Sequence, residues 1–242
     1  MLFFVRVPYI KRVILEMMKY FGEALSGLHQ EFNRLLRKKD CFDEAVQLFL
    51  YLHSFLHLSQ VSGCDWNEVD SLCFDLTPDE AAAMPEKKGE SIAWAVWHIA
   101  RIEDLTMNML VARKEQVFTP EIQRRIRAPV TDTGNALSQE EIRSFGKKVD
   151  FEALAAYRNE VGARTRSIVQ ALSPEDVKRP VEQSGLDAIL AAGGVTGEKD
   201  SVWLLEYWGT KDVGGLLLMP ATRHLMLHLN DCCKWKAMLR AK

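Results

Sequence analysis

The chain has 242 residues, with 31 Lys and Arg against 33 Asp and Glu, and that length can bury a sizeable core as one domain or one domain with additions. Charges that nearly cancel leave no bulk field to attract nucleic acid or an anionic membrane, and no run of 18 or more uncharged apolar residues is present to span a bilayer. Five cysteines form no C-x-x-C pair and fit reduced thiols better than a disulfide framework. The apolar opening MLFFVRVPYIKRVILEMM is interrupted by Arg6, Lys11 and Arg12, and no small-residue cleavage site follows, so a cytoplasmic address is expected.

Apolar residues recur at three and four from residue 13 to 38, predicting a helix with weak points at Gly22 and Gly27. Asp43 is placed to cap a second helix running to about Val61, where Ser-Gly ends it. Thr77-Pro78-Asp79-Glu80 has the N-cap, first-position proline and third-position glutamate of a helix start, followed closely by Pro85. Ser91 begins a helix that is apolar on nearly every side as far as Arg101, the signature of a core element. A looser stretch over 114–137 leaves room for a short helix near Glu121 to Ile126. Ser138 and Glu141 read as another capping box, and a long helix is expected over 151–172. Residues 182–200, rich in Gly and Ala and without a clear period, read as a mobile loop or lid. A short helix over 201–208, a break at Gly214-Gly215 and a last long helix from Pro220 to about Leu239 complete the chain.

Strand signals are nearly absent, so the expected fold class is all-α: a four-helix bundle from residues 43–62, 91–113, 150–172 and 219–240, with an additional N-terminal helix. This divides the chain into an N-terminal helical extension, 1–40, and a bundle domain, 41–242. The basic clusters Arg34, Arg37, Lys38, Lys39 and Arg124, Arg125, Arg127 read as solvated helix faces or ends, so no nucleic-acid partner is expected.

Three histidines carry most of the functional signal. His224 and His228 are four apart on one helix, so both imidazoles can face one metal ion, while His98 arrives from a neighbouring core helix. Three protein ligands leave a coordination position open for chemistry. The spacing alone is weak, because His53 and His57 share it, and a core histidine bonded to a carbonyl is the plainer account of His98. Its apolar surroundings nonetheless demand some partner. Asp231, three residues past His228, is the candidate catalytic residue, placed to orient an imidazole or accept a proton, with a solvated carboxylate as the alternative. Cys232 reads as a small buried residue, and His53/His57 as core or dimer-surface residues.

The segment Leu76-Thr-Pro-Asp-Glu-Ala-Ala-Ala-Met-Pro, followed by Ser91-Ile-Ala-Trp-Ala-Val-Trp-His98-Ile-Ala-Arg101-Ile-Glu103-Asp104, resembles the second-helix signature of the DinB-like (YfiT-like) superfamily, and His224/His228 match its second motif. The likeness covers roughly residues 43–240. It implies a four-helix bundle, often homodimeric, whose His98, His224 and His228 hold a divalent metal such as zinc, nickel or manganese. It further implies a metal-dependent enzyme acting on a small molecule, either a transferase using a low-molecular-weight thiol such as bacillithiol or mycothiol, or a hydrolase. The metal in such a site lowers the pKa of a bound thiol or water. The sequence departs from the family pattern at Leu229-Asn230-Asp231-Cys232-Cys233, which bears on substrate class rather than on the metal. The competing expectation is a non-catalytic helical stress-response or binding protein with structural histidines.

Overall fold

A computed structural model describes residues 23–241. The predicted N-terminal helix is seen as α1 (Glu23–Leu36); its part before residue 23, like the apolar opening, lies outside the described residues. The following elements are α2 (Phe42–Ser54), α3 (Glu68–Cys73), α4 (Pro78–Ala82), α5 (Ile92–Asp104), α6 (Pro120–Ile126), α7 (Gln139–Lys148), α8 (Phe151–Gln170), α9 (Gln183–Ala191), α10 (Lys199–Gly209), α11 (Val213–Leu218) and α12 (His224–Arg240). Among the described residues there is no strand, only an isolated bridge between Pro180 and Asp212. The fold is all-α. Helix α5 packs on α8 and α12, α2 packs on α8, and α1 lies along α2, so the four long helices close around one core.

Local chemistry starts these helices where the chain predicts. Thr77 accepts from the Glu80 amide while the Glu80 carboxylate accepts from the Thr77 amide, and Ser138 and Glu141 repeat the arrangement. Ser91 accepts from the Trp94 amide at 3.3 Å. Every residue of α5 is buried, Trp97 among them, and Phe49, Phe145 and Trp235 belong to the same core. Each such side chain contributes on the order of 1.5–3 kcal/mol relative to exposure. Arg101 does not end the buried face as its charge suggests: Arg101, Glu103 and Asp104 are also fully buried.

Several boundaries differ from expectation. Helix α2 stops at Ser54, not near Val61, because Asn67 Nδ2 donates to the Ser54 and His57 carbonyls at 3.0 and 2.9 Å and satisfies the chain where it turns away. Asp43 sits in the first turn of α2 and not at its cap, acting there on the helix dipole. The segment read as a lid forms helix α9, because Leu186 and Ile189, three apart, are buried where this helix packs on the turn Leu105–Val111 that follows α5. Gly214 and Gly215 do not break the chain but lie inside α11. Asp212 caps this helix through the Gly215 amide at 2.8 Å, and a Cβ at Gly214 would stand 2.9 Å from Val177. Two π-helical turns, Leu105–Val111 and Met219–Arg223, extend α5 and precede α12.

Candidate metal centre

Helix α5 is held by a loop laid along one of its faces. Trp94 Nε1 donates to the Gly134 carbonyl at 3.0 Å, Trp97 Nε1 to Asp132 at 2.9 Å, His98 Nδ1 to Thr133 at 2.9 Å and Arg101 Nε to Thr131 at 3.0 Å. These donors follow the three- and four-residue spacing of one helix face, and their acceptors are successive carbonyls of the loop. Gly134 has a positive φ of 75° and lies so close to the Trp94 indole that a Cβ would meet Nε1 at 2.9 Å. The Trp94 ring stacks on His98, with centroids 4.8 Å apart and planes 12° from parallel.

The Thr133 carbonyl fixes the proton of His98 on Nδ1 and leaves Nε2 free to accept or ligate. That Nε2 is 3.1 Å from Nε2 of His224. Donor atoms of His98, His224 and His228 lie within 4.8 Å of one another. Ligands at about 2.0 Å from a tetrahedral ion stand about 3.3 Å apart, so the cluster has the dimensions of a three-histidine metal site. Nδ1 of His224 and Nδ1 of His228 are buried without a hydrogen-bond partner. Burial pushes the His98 imidazole down to about 4, partly offset by the Thr133 carbonyl. Burial and the neighbouring His98 bring His228 to about 3 and carry His224 well below the ordinary imidazole range. All three are therefore neutral at neutral pH, the state in which imidazole binds metal.

Helix α1 buttresses this arrangement. His29 Nε2 reaches the Leu218 carbonyl at 2.8 Å and Thr222 Oγ1 at 3.1 Å, at the π turn that delivers His224. The cluster opens into a pocket of about 580 Å³, within the range of small-molecule sites. Ile102, Leu137, Ile142, Leu204 and Trp208 give it apolar walls, while Trp203 and Tyr207 add aromatic surface. Lys88, Glu90, Asn135 and Gln139 supply polar groups.

The structure thus brings His98, His224 and His228 together. It places Asp231 in an ion pair with Lys88 at 2.7 Å, and Asp231 is not among the residues lining the pocket. The Lys88 ammonium also meets Glu90 at 2.8 Å and lies over the Trp235 ring at 4.8 Å. Glu90 and Lys88 are pocket residues that sequence reasoning missed; their position one and three residues before the Ser91 cap was the available signal. Cys232 and Cys233 are buried free thiols, and burial holds Cys233 up at about 12, so neither offers a reactive thiolate. Of the basic clusters, Arg34 pairs with Glu31, Arg37 with Asp212 at 2.6 Å and Lys39 with Glu175 at 2.5 Å.

A family model described as the DinB superfamily matches residues 65–232, more than half of the chain. The chain belongs to the DinB superfamily. The match contains His98, His224 and His228, and it leaves His53 and His57 outside. A comparison with curated proteins finds no match. No helix among the described residues is long and apolar enough to cross a membrane.

Proposed function

We propose that the protein is a divalent-metal-dependent enzyme, a thiol-dependent transferase or a hydrolase, working on a small molecule through His98, His224 and His228. The observation that carries this reading is the convergence of three neutral imidazoles at the wall of a pocket large enough for a substrate. Zinc, nickel and manganese are the metals in view. A divalent ion held there supplies Lewis acidity, which makes a thiol or a water molecule nucleophilic near neutral pH.

The chain's own groups divide the remaining work. Thr133 holds the His98 ring in its tautomer, and Trp94 fixes the ring plane. The apolar walls exclude water around the reacting centre, and Trp203 and Tyr207 offer flat surfaces for a substrate's apolar part. Glu90 is the carboxylate lining the pocket and takes the proton released by the nucleophile. Asp231 enters through Lys88, whose ammonium it holds beside Glu90.

The test is plasma mass spectrometry on protein purified without chelator or affinity tag, against a His98→Ala/His224→Ala/His228→Ala variant, followed by thiol-transfer and hydrolysis assays on both. Turnover in the native chain and its loss in the variant are expected, together with the loss of one equivalent of metal per chain. Metal content unchanged by the triple substitution overturns the ligand set. Metal lost without any difference in turnover overturns the enzyme.

A further inference from the structure

A second buried group of ligand chemistry takes no part in the pocket. His53 near the end of α2, His57 in the turn that follows and Glu103 on α5 are all fully buried, and none lines the cavity. Glu103 Oε1 is 3.0 Å from His53 Nε2, and Oε2 is 3.1 Å from His57 Nε2. The two imidazoles stack with centroids 4.2 Å apart and planes 21° from parallel.

Only the His53 contact has hydrogen-bond geometry. Both ring nitrogens of His57, Oε2 of Glu103 and Nδ1 of His53 have no hydrogen-bond partner. Buried polar atoms are almost always paired, so four orphans in one cluster call for a ligand. His57 Nε2 and Glu103 Oε2 lie side by side at close range without pointing at each other, as two ligands of one ion do. The donor atoms of all three residues fall within 4.8 Å of one another.

We propose that His53, His57 and Glu103 form a second divalent-metal site, sealed from solvent and structural in role, separate from the pocket cluster. Two imidazoles and a carboxylate suit zinc among the common ions. Arg158 and Arg166 face the imidazoles and oppose added positive charge, and the Glu103 carboxylate supplies the countercharge. Gly162 on α8 makes room for the His57 ring, into which any Cβ would collide. The ion ties the end of α2 to the helix that carries His98, and its burial means that it is loaded as the chain folds.

The inference stands independently of the pocket's function, and one experiment separates them. The full chain is unfolded and refolded with zinc or cobalt, freed of excess metal and analysed for metal per chain, alongside Glu103→Gln and the triple pocket variant His98→Ala/His224→Ala/His228→Ala. With both sites real, the native chain holds two equivalents and each variant holds one. If only the internal site is real, the native chain and the triple variant hold one and Glu103→Gln holds none. A native chain that stops at one equivalent, retained in full by Glu103→Gln, overturns the proposal. So does a folded triple variant with no metal. Should a variant fail to fold, the native stoichiometry and the ligand-field absorption of bound cobalt decide: one equivalent with the spectrum of an all-imidazole site rejects the internal site, and a second equivalent with a distinct spectrum supports it.

Discussion

Arg101 and Asp104 lie on the same helix as His98 and as deep in the protein, yet the two neighbourhoods are wired differently. Asp104 accepts from Tyr157 Oη at 2.7 Å, from the Val117 and Phe118 amides at 2.8 and 2.9 Å, from Asn108 Nδ2 at 2.9 Å and from Arg101 at 3.2 Å. Arg101 also donates to Gln116 at 2.8 Å and, as described, to Thr131. Neither residue appears among the buried groups without partners. The histidine cluster, one turn away, keeps ring nitrogens unpaired and faces a cavity. A saturated polar network specifies how elements dock, whereas an unsaturated one is a place where something binds. Both kinds occur within a single conspicuous motif, so the motif's residues do not share one purpose.

The largest effect should come from breaking the saturated side. Asp104→Ala leaves the Arg101 guanidinium buried without its carboxylate and is expected to cost about 3–5 kcal/mol, read as a lowered denaturant midpoint. On the unsaturated side, His224→Ala should abolish metal retention at the pocket cluster with helical circular dichroism unchanged, and it should cost the metal-free protein less than about 2 kcal/mol. An equal loss of stability from the two substitutions would erase the distinction. The contrast also titrates. Metal-free, the three imidazoles stay neutral in the fold, with His98 held at about 4 and His228 at about 3, whereas unfolded imidazoles bind protons at about 6.5. The unfolded chain therefore takes up more protons as pH falls from about 6.5 toward 4, and stability must fall with it, by about 1.4 kcal/mol per pH unit for each proton. The triple alanine variant should show a flatter profile in pH-dependent melts. Smallest is Asp231→Asn: its half-exposed pair with Lys88 is worth less than about 1 kcal/mol, metal should remain, and any turnover should drop through the displaced Lys88.

Features generated by neighbours in the chain were legible in advance. The caps at Thr77, Ser91 and Ser138 each need only a hydroxyl or carboxylate and an amide two or three residues on. The spacing of His224 and His228, with the apolar setting of His98, likewise marked the histidines that the fold gathers. What escaped detection depends on distant backbone. The carbonyls of residues 131–134 that receive Trp94, Trp97, His98 and Arg101 carry no side-chain signature, so the indoles and guanidinium on α5 could not be assigned partners. Helix α9 rests on just two buried residues amid Gly and Ala, too few to produce a period. Glu103 stood in plain view next to Asp104, but its pairing with His53 and His57 depends on a turn after Ser54 made by Asn67, thirteen residues further along.

The π turn at Met219–Arg223 sets the phase of the last helix. Each residue of a regular helix advances the side chain by about 100°, so the wide turn fixes the angular offset between α11, anchored through Asp212 to Arg37, and everything downstream. One residue inserted just after the turn, where the helix is regular, would rotate α12 by about that angle. His224 and His228 would swing away from His98 together, with every residue of the site still present in the sequence. The metal centre thus depends on a length as well as on its ligands.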